Sequence, residues 1–114
     1  MNQVQEKIYN ELISKYNFNR QQKEEIRIGL EQGLDVSWYA KPEFNENQMY
    51  QICLGLEKGI DVSWYAKPDF TWIQMEEIRL GLEANIDVSI YSYPGFTDGQ
   101  MEQFRSSLIW AKSN

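Results

Sequence analysis

The chain has 114 residues, 42% of them hydrophobic, with four Trp, seven Tyr and five Phe, which is enough for one packed core and argues against disorder. It contains no histidine, so the most frequent general base and the commonest metal ligand are missing. Its net charge of −6 counts against direct nucleic-acid binding, and no apolar run is long enough for a signal peptide or a membrane span.

The first predicted element is an amphipathic helix over residues 4–16. Val4, Ile8, Leu12 and Ile13 fall at helical spacing, with Tyr9 and Tyr16 nearby. From Phe18 onward the chain repeats itself. Phe18, Phe44, Phe70 and Phe96 lie 26 residues apart with no insertion between them. Gln22, Gln48, Gln74 and Gln100 align, as do Leu30, Leu56, Leu82 and Leu108. Self-similarity at such a period marks stacked supersecondary units. The expected fold is all-α, a single domain forming a small solenoid. Residues 1–17 make an N-terminal cap helix, 18–43, 44–69 and 70–95 make three units, and 96–114 make a truncated fourth unit and C-terminal cap. Terminal units diverge because one face must meet water, and Trp110 is expected to fold back on the array.

Each unit reads as a long helix, a turn and a short helix ending in Pro42, Pro68 or Pro94. Asn19, Asn45, Thr71 and Thr97 are good N-cap types with Gln three residues on, and Thr71…Gln74 and Thr97…Gln100 fit a capping box. The Phe before each cap and Met49, Met75 or Met101 four residues after it form a hydrophobic staple, weaker in the first unit, which has Lys23 there. Gly33, Gly59 and Asn85 tolerate the left-handed conformation that ends a helix. Asp35, Asp61 and Asp87 then cap the short helix Val-Ser-Trp-Tyr-Ala, or its variant in the third unit. Gly29, Gly55 and Gly81 stand inside the long helices, where glycine costs about 1 kcal/mol against alanine. Their recurrence predicts that another backbone passes close by.

Little here points to catalysis. Cys53 has no partner for a disulfide and no His to activate it, and it occupies a column otherwise held by Arg27, Arg79 and Arg105. That makes it a small filler, and the arginines a source of salt bridges to Glu of their own helices. No zinc spacing, phosphate loop or calcium loop is present. The expectation is a non-enzymatic protein with no cofactor and no metal. A lone cysteine and the lack of a leader suit a cytoplasmic setting.

Two features suggest a protein partner. Trp38 and Trp64 share a column, followed there by Ile90, and Tyr39, Tyr65 and Tyr91 come next. Two adjacent positions of a short helix cannot both point inward. The unbroken Tyr column is read as core and the Trp column as partly exposed, an aromatic anchor row; the alternative puts Trp in the core. Charge is also uneven. Residues 43–102 carry eleven acidic and three basic side chains, while 1–42 balance at zero. The candidate acidic contacts are Glu46, Glu57, Asp69, Glu76, Glu77 and Glu83, suited to a basic partner.

The run Gln-Met-x-x-Ile-x-x-Gly-Leu-Glu-x-Gly-Ile-Asp-Val-Ser-x-Tyr-Ala-x-Pro-x-Phe, as at residues 48–70, resembles short helical tandem repeats encoded by mobile elements of Gram-positive bacteria. The resemblance covers residues 18–108. It implies an inhibitor of host defence, of anti-CRISPR or anti-restriction type; the acidic central units suggest that such an inhibitor binds a nuclease in its basic nucleic-acid groove. It offers no catalytic residues. The alternative is a scaffold or adaptor that binds through Trp38 and Trp64.

Overall fold

The computed structural model describes residues 1–114 and contains five α-helices and no β-strand. They are α1 (Gln3–Lys15), α2 (Arg20–Glu31), α3 (Glu46–Glu57), α4 (Trp72–Glu83) and α5 (Asp98–Ser113). Single turns of 3-10 helix at Val36–Trp38, Val62–Trp64 and Val88–Ile90 follow α2, α3 and α4. No helix is long and apolar enough to cross a membrane.

Local chemistry sets the helix boundaries. Asn19, Asn45, Thr71 and Thr97 each accept from the amide of the Gln three residues on, and that Gln accepts back from the cap amide. Asn2 and Gln5 do the same for α1, a fifth capping box that the repeat pattern did not single out. At the other end the chain turns left-handed at Gly33 (φ 73°), Gly59 (φ 69°) and Asn85 (φ 57°). The Leu34 amide then donates to the Gly29 carbonyl at 2.9 Å and the Gly33 amide to Leu30 at 3.0 Å, the paired bonds of a Schellman closure.

The short helices are shorter than expected. Each is one 3-10 turn of three residues, capped by Asp35, Asp61 or Asp87. Tyr39, Tyr65 and Tyr91 already lie outside helical geometry, so the turn ends four residues before each proline. α1 is shifted by one residue, with Tyr16 as its extended C-cap rather than its last turn.

Each long helix packs mainly on its neighbours, α1 on α2 through to α4 on α5, and on the 3-10 turn that follows it. The core runs through the row: Phe18, Phe44 and Phe70, Ile26, Ile52 and Ile78, Met49, Met75 and Met101, and the three tyrosines are buried. α1 buries no residue fully, but Tyr9, Leu12 and Tyr16 lie against the core. Trp110 does not fold back. It is 68% exposed on α5, because that helix runs to Ser113 and holds the side chain out along its solvent side.

Glutamine joins one unit to the next. While its Oε1 serves the capping box, Nε2 of Gln22 donates to the Phe44 carbonyl at 2.6 Å, that of Gln48 to Phe70 at 2.7 Å, and that of Gln74 to Phe96 at 2.6 Å. Gln22, Gln48 and Gln74 are buried with these bonds made, and no buried side-chain polar atom in the chain lacks a partner.

Candidate protein-interaction surface

A 3-10 helix has three residues per turn, so side chains at i and i+3 share an edge. That periodicity sorts each turn into an inward and an outward edge. Val36 and Tyr39 point inward and are buried, while Trp38 is 39% exposed. The second and third turns repeat this, with Val62 and Tyr65, then Val88 and Tyr91, inward, and Trp64 (38%) and Ile90 (44%) outward. Asp35, Asp61 and Asp87 stand three residues before Trp38, Trp64 and Ile90, on the outward edge.

The inward edge explains the helix glycines, and corrects the expectation of a close backbone. Tyr39 Oη donates to the Glu25 carbonyl at 2.7 Å and Tyr65 Oη to Gln51 at 2.6 Å. Side chains, not backbone, crowd these glycines. A Cβ on Gly29 would fall inside contact distance of Tyr39 Oη and 2.7 Å from Val36 Cγ1. Gly55 and Gly81 are hemmed in the same way by Tyr65 with Val62 and by Tyr91 with Val88. Burial pushes the phenols of Tyr39 and Tyr65 well above their ordinary range and that of Tyr91 up to about 12, so all three stay neutral donors.

On the outward edge each aspartate uses one oxygen. Oδ1 of Asp35 accepts from the Ser37 amide at 3.1 Å and from Ser37 Oγ at 2.6 Å, and Asp61 and Asp87 hold Ser63 and Ser89 alike. These bonds hold the Asp87 carboxyl below its usual range. No hydrogen bond within the chain reaches Oδ2 of any of the three.

Two of the six acidic candidates are paired with cations of the chain itself. Glu77 is tied to Arg105 at 2.8 Å, and Glu83 to Arg79 and to Lys58, the latter at 3.3 Å. Glu57 and Glu83 end α3 and α4; Glu46 opens α3, Asp69 lies in the segment before α4, and Glu76 is half-buried in α4. Only Arg27 keeps its pairs within one helix, to Glu24 and Glu31. Arg105 reaches back one helix to Glu77, and Arg79 is buried, pairing with Glu83 on its own helix and reaching back to Gln51 at 2.9 Å. Cys53 interrupts that column. It is 3% exposed, with its thiol pushed up by burial, and it leaves Glu25 with no cation.

Sequence reasoning passed over Tyr50, Trp72, Ile73 and Tyr93, which are also exposed. The signal was there: Trp72 stands in a column otherwise of Arg20, Glu46 and Asp98, and Tyr50 among Glu24, Glu76 and Glu102. Trp72 and Ile73 border a cleft of about 480 Å³ with Asn45, Gln48, Pro68 and Asp98. No three His, Cys, Asp or Glu are grouped to hold a metal ion. Comparison of the chain with protein families, with characterised proteins and with solved structures gives no match to any of them.

Proposed function

We propose that this chain is a non-enzymatic protein-binding module, built as a solenoid of 26-residue units, whose contact surface is the row Trp38, Trp64 and Ile90. The observation that carries the reading is the sorting within each 3-10 turn. The neighbouring tyrosine is wholly buried, while the large apolar residue before it stands more than a third exposed, three times in register. Tryptophan is costly to leave in water, and it is enriched among residues that anchor interfaces. The solenoid reading is supported by the 26-residue period and by the recurrence of the Gln, Gly and Tyr contacts at that period.

The net charge of −8 over residues 43–102 supports a basic partner in a cytoplasmic setting. The narrower form of the proposal is an inhibitor of a host-defence nuclease, anti-CRISPR-like, as the resemblance implies. The test is capture of protein partners by the tagged chain and by its Trp38→Ala, Trp64→Ala double variant, with helicity checked by circular dichroism. Capture lost with helicity kept supports the row. Equal capture by both chains overturns it. A basic partner also requires capture to weaken between about 0.1 and 0.5 M salt.

A further inference from the structure

We propose that the exposed row takes a basic polyproline-II segment of its partner, an inference that rests on the protein-binding reading above. The spacing of the rungs comes from the shape of the molecule, whose extents are 50 × 25 × 17 Å. The longest helix, α5, has 16 residues and so spans about 24 Å at 1.5 Å per residue. The 50 Å axis is therefore the direction in which the helices succeed one another. Five helices across it lie about 10 Å apart, close to the usual separation of packed helices. Trp38, Trp64 and Ile90 hold one position on successive turns, so the rungs share that spacing.

Each rung offers an apolar surface and, three residues before it, an aspartate with one unengaged oxygen. The turn segments 34–43, 60–69 and 86–95 each carry a net charge of −1, even with Lys41 and Lys67 counted. A matching partner must present an apolar group and a cation about every 10 Å. Polyproline II repeats its faces every three residues, about 9.3 Å. Side chains on one face of a β-strand recur at about 7 Å and drift out of step by the second rung. An α-helix matches only at i, i+7, and its width of about 10–12 Å seats in a groove. No such groove follows the row: two clefts lie between α1 and the first turn, where Asp35 and Ser37 line them, the others lie on α1, at the α5 end and around the starts of α3 and α4, and none of these is lined by Trp38, Trp64 or Ile90. Proline rings also stack on tryptophan, and a preformed ligand loses little entropy on binding.

The experiment titrates the full chain, by calorimetry, with a synthetic Pro-Pro-Lys repeat of about twelve residues, long enough to span three rungs at about 3.1 Å per residue. Peptides of Pro-Pro-Glu and Gly-Gly-Lys, of the same length, are the comparators. Saturable binding of Pro-Pro-Lys is expected, about tenfold or more tighter than either comparator and lost to a similar degree in the Trp38→Ala, Trp64→Ala variant. A second variant, Asp35→Asn with Asp61→Asn and Asp87→Asn, keeps the capping oxygen and removes the charge, and it too is expected to bind about tenfold more weakly. Equal binding of Gly-Gly-Lys overturns the spacing argument, and binding unaffected in both variants overturns the site. Absence of Pro-Pro-Lys binding overturns the inference alone if Trp-dependent capture of a protein partner persists. If that capture is also independent of the tryptophans, the reading beneath it falls as well.

Discussion

Gly55→Ala sets helix propensity against packing, and the two predict opposite signs. On propensity alone, alanine in mid-helix stabilises by about 1 kcal/mol. The structure puts the new methyl 2.6 Å from Val62 Cγ1 and 3.2 Å from Tyr65 Cζ, and inside contact distance of Tyr65 Oη. The ring must withdraw, stretching its 2.6 Å hydrogen bond to the Gln51 carbonyl. Overpacking costs about 1–3 kcal/mol and the weakened bond about 1 kcal/mol. Against the propensity gain, the net loss is about 1–3 kcal/mol. At about 4 °C per kcal/mol for a domain of this size, Tm falls by about 4–12 °C. The assay is thermal unfolding followed by far-UV circular dichroism, on Gly55→Ala, Tyr65→Phe and the double variant. Tyr65→Phe removes the oxygen, so adding the methyl to it costs about 1 kcal/mol less than in the parent chain. Recovery stays partial because Val62 remains. A Gly55→Ala chain as stable as the parent, or more so, would refute the reasoning.

Gln48→Ala removes a capping partner and the 2.7 Å bond to the Phe70 carbonyl, whereas Gln100→Ala removes a capping partner alone. Urea unfolding is expected to show a loss of about 2–3 kcal/mol for the first and about 1 kcal/mol or less for the second, and equal losses would deny the glutamine its joining role. Cys53→Arg supplies the missing member of the arginine column, with Glu25 and Glu57 placed as Gln51 and Glu83 are around Arg79. It is expected to stabilise by about 0.5–1 kcal/mol near neutral pH, and destabilisation would show that the pocket cannot hold the longer side chain. In the parent chain the Glu25 carboxyl sits above its ordinary value, through burial first and then the charges of Glu24, Glu46 and Glu57. The folded state thus holds that proton more tightly than the unfolded one. Its contribution favours folding at low pH and is lost as pH rises through the unfolded and then the folded value. The stability gap between Cys53→Arg and the parent should therefore widen from about pH 4 to about pH 7, as read by urea unfolding at each pH.

Helix ends were legible because they are written locally. Asn45 with Gln48, or Gly59 with Ile60, settles a boundary within a few residues. The adjacency of Trp38 and Tyr39 was legible too, since a tight turn forces neighbours apart, and the unbroken column marks the buried one. The cause of the Gly29, Gly55 and Gly81 column was not. The repeat shows that something crowds those positions, but a tyrosine hydroxyl and a valine methyl reach them only once the turn folds back on the helix. Arg79 pairs with Glu83 of its own helix as expected, but its second partner Gln51 and the Glu77 partner of Arg105 each lie 28 residues back, and column alignment relates equivalent positions, not the offset ones that meet across a helix pair. Trp110 was misjudged through hydrophobicity alone: its column elsewhere holds Gln32, Lys58 and Ala84, which are positions for solvent.

The two ends of the row face solvent by different means. α1 turns Gln3, Glu6, Lys7, Asn10, Glu11 and Ser14 outward, a polar face, with Val4 and Ile8 exposed beside it. α5 keeps every contact that faces backward: Met101 is buried, and Arg105 holds Glu77. Phe104 replaces the isoleucine of earlier units and lies parallel to Tyr91 at 6.3 Å and edge-on to Phe96 at 5.3 Å. Ser107 stands where Gly29, Gly55 and Gly81 stand. Those glycines leave space for the following tyrosine to bring its hydroxyl to the helix backbone, whereas Ser107 is exposed and borders a cleft with Phe96 and Phe104. Gln100 still completes its capping box, but no later phenylalanine carbonyl receives its amide.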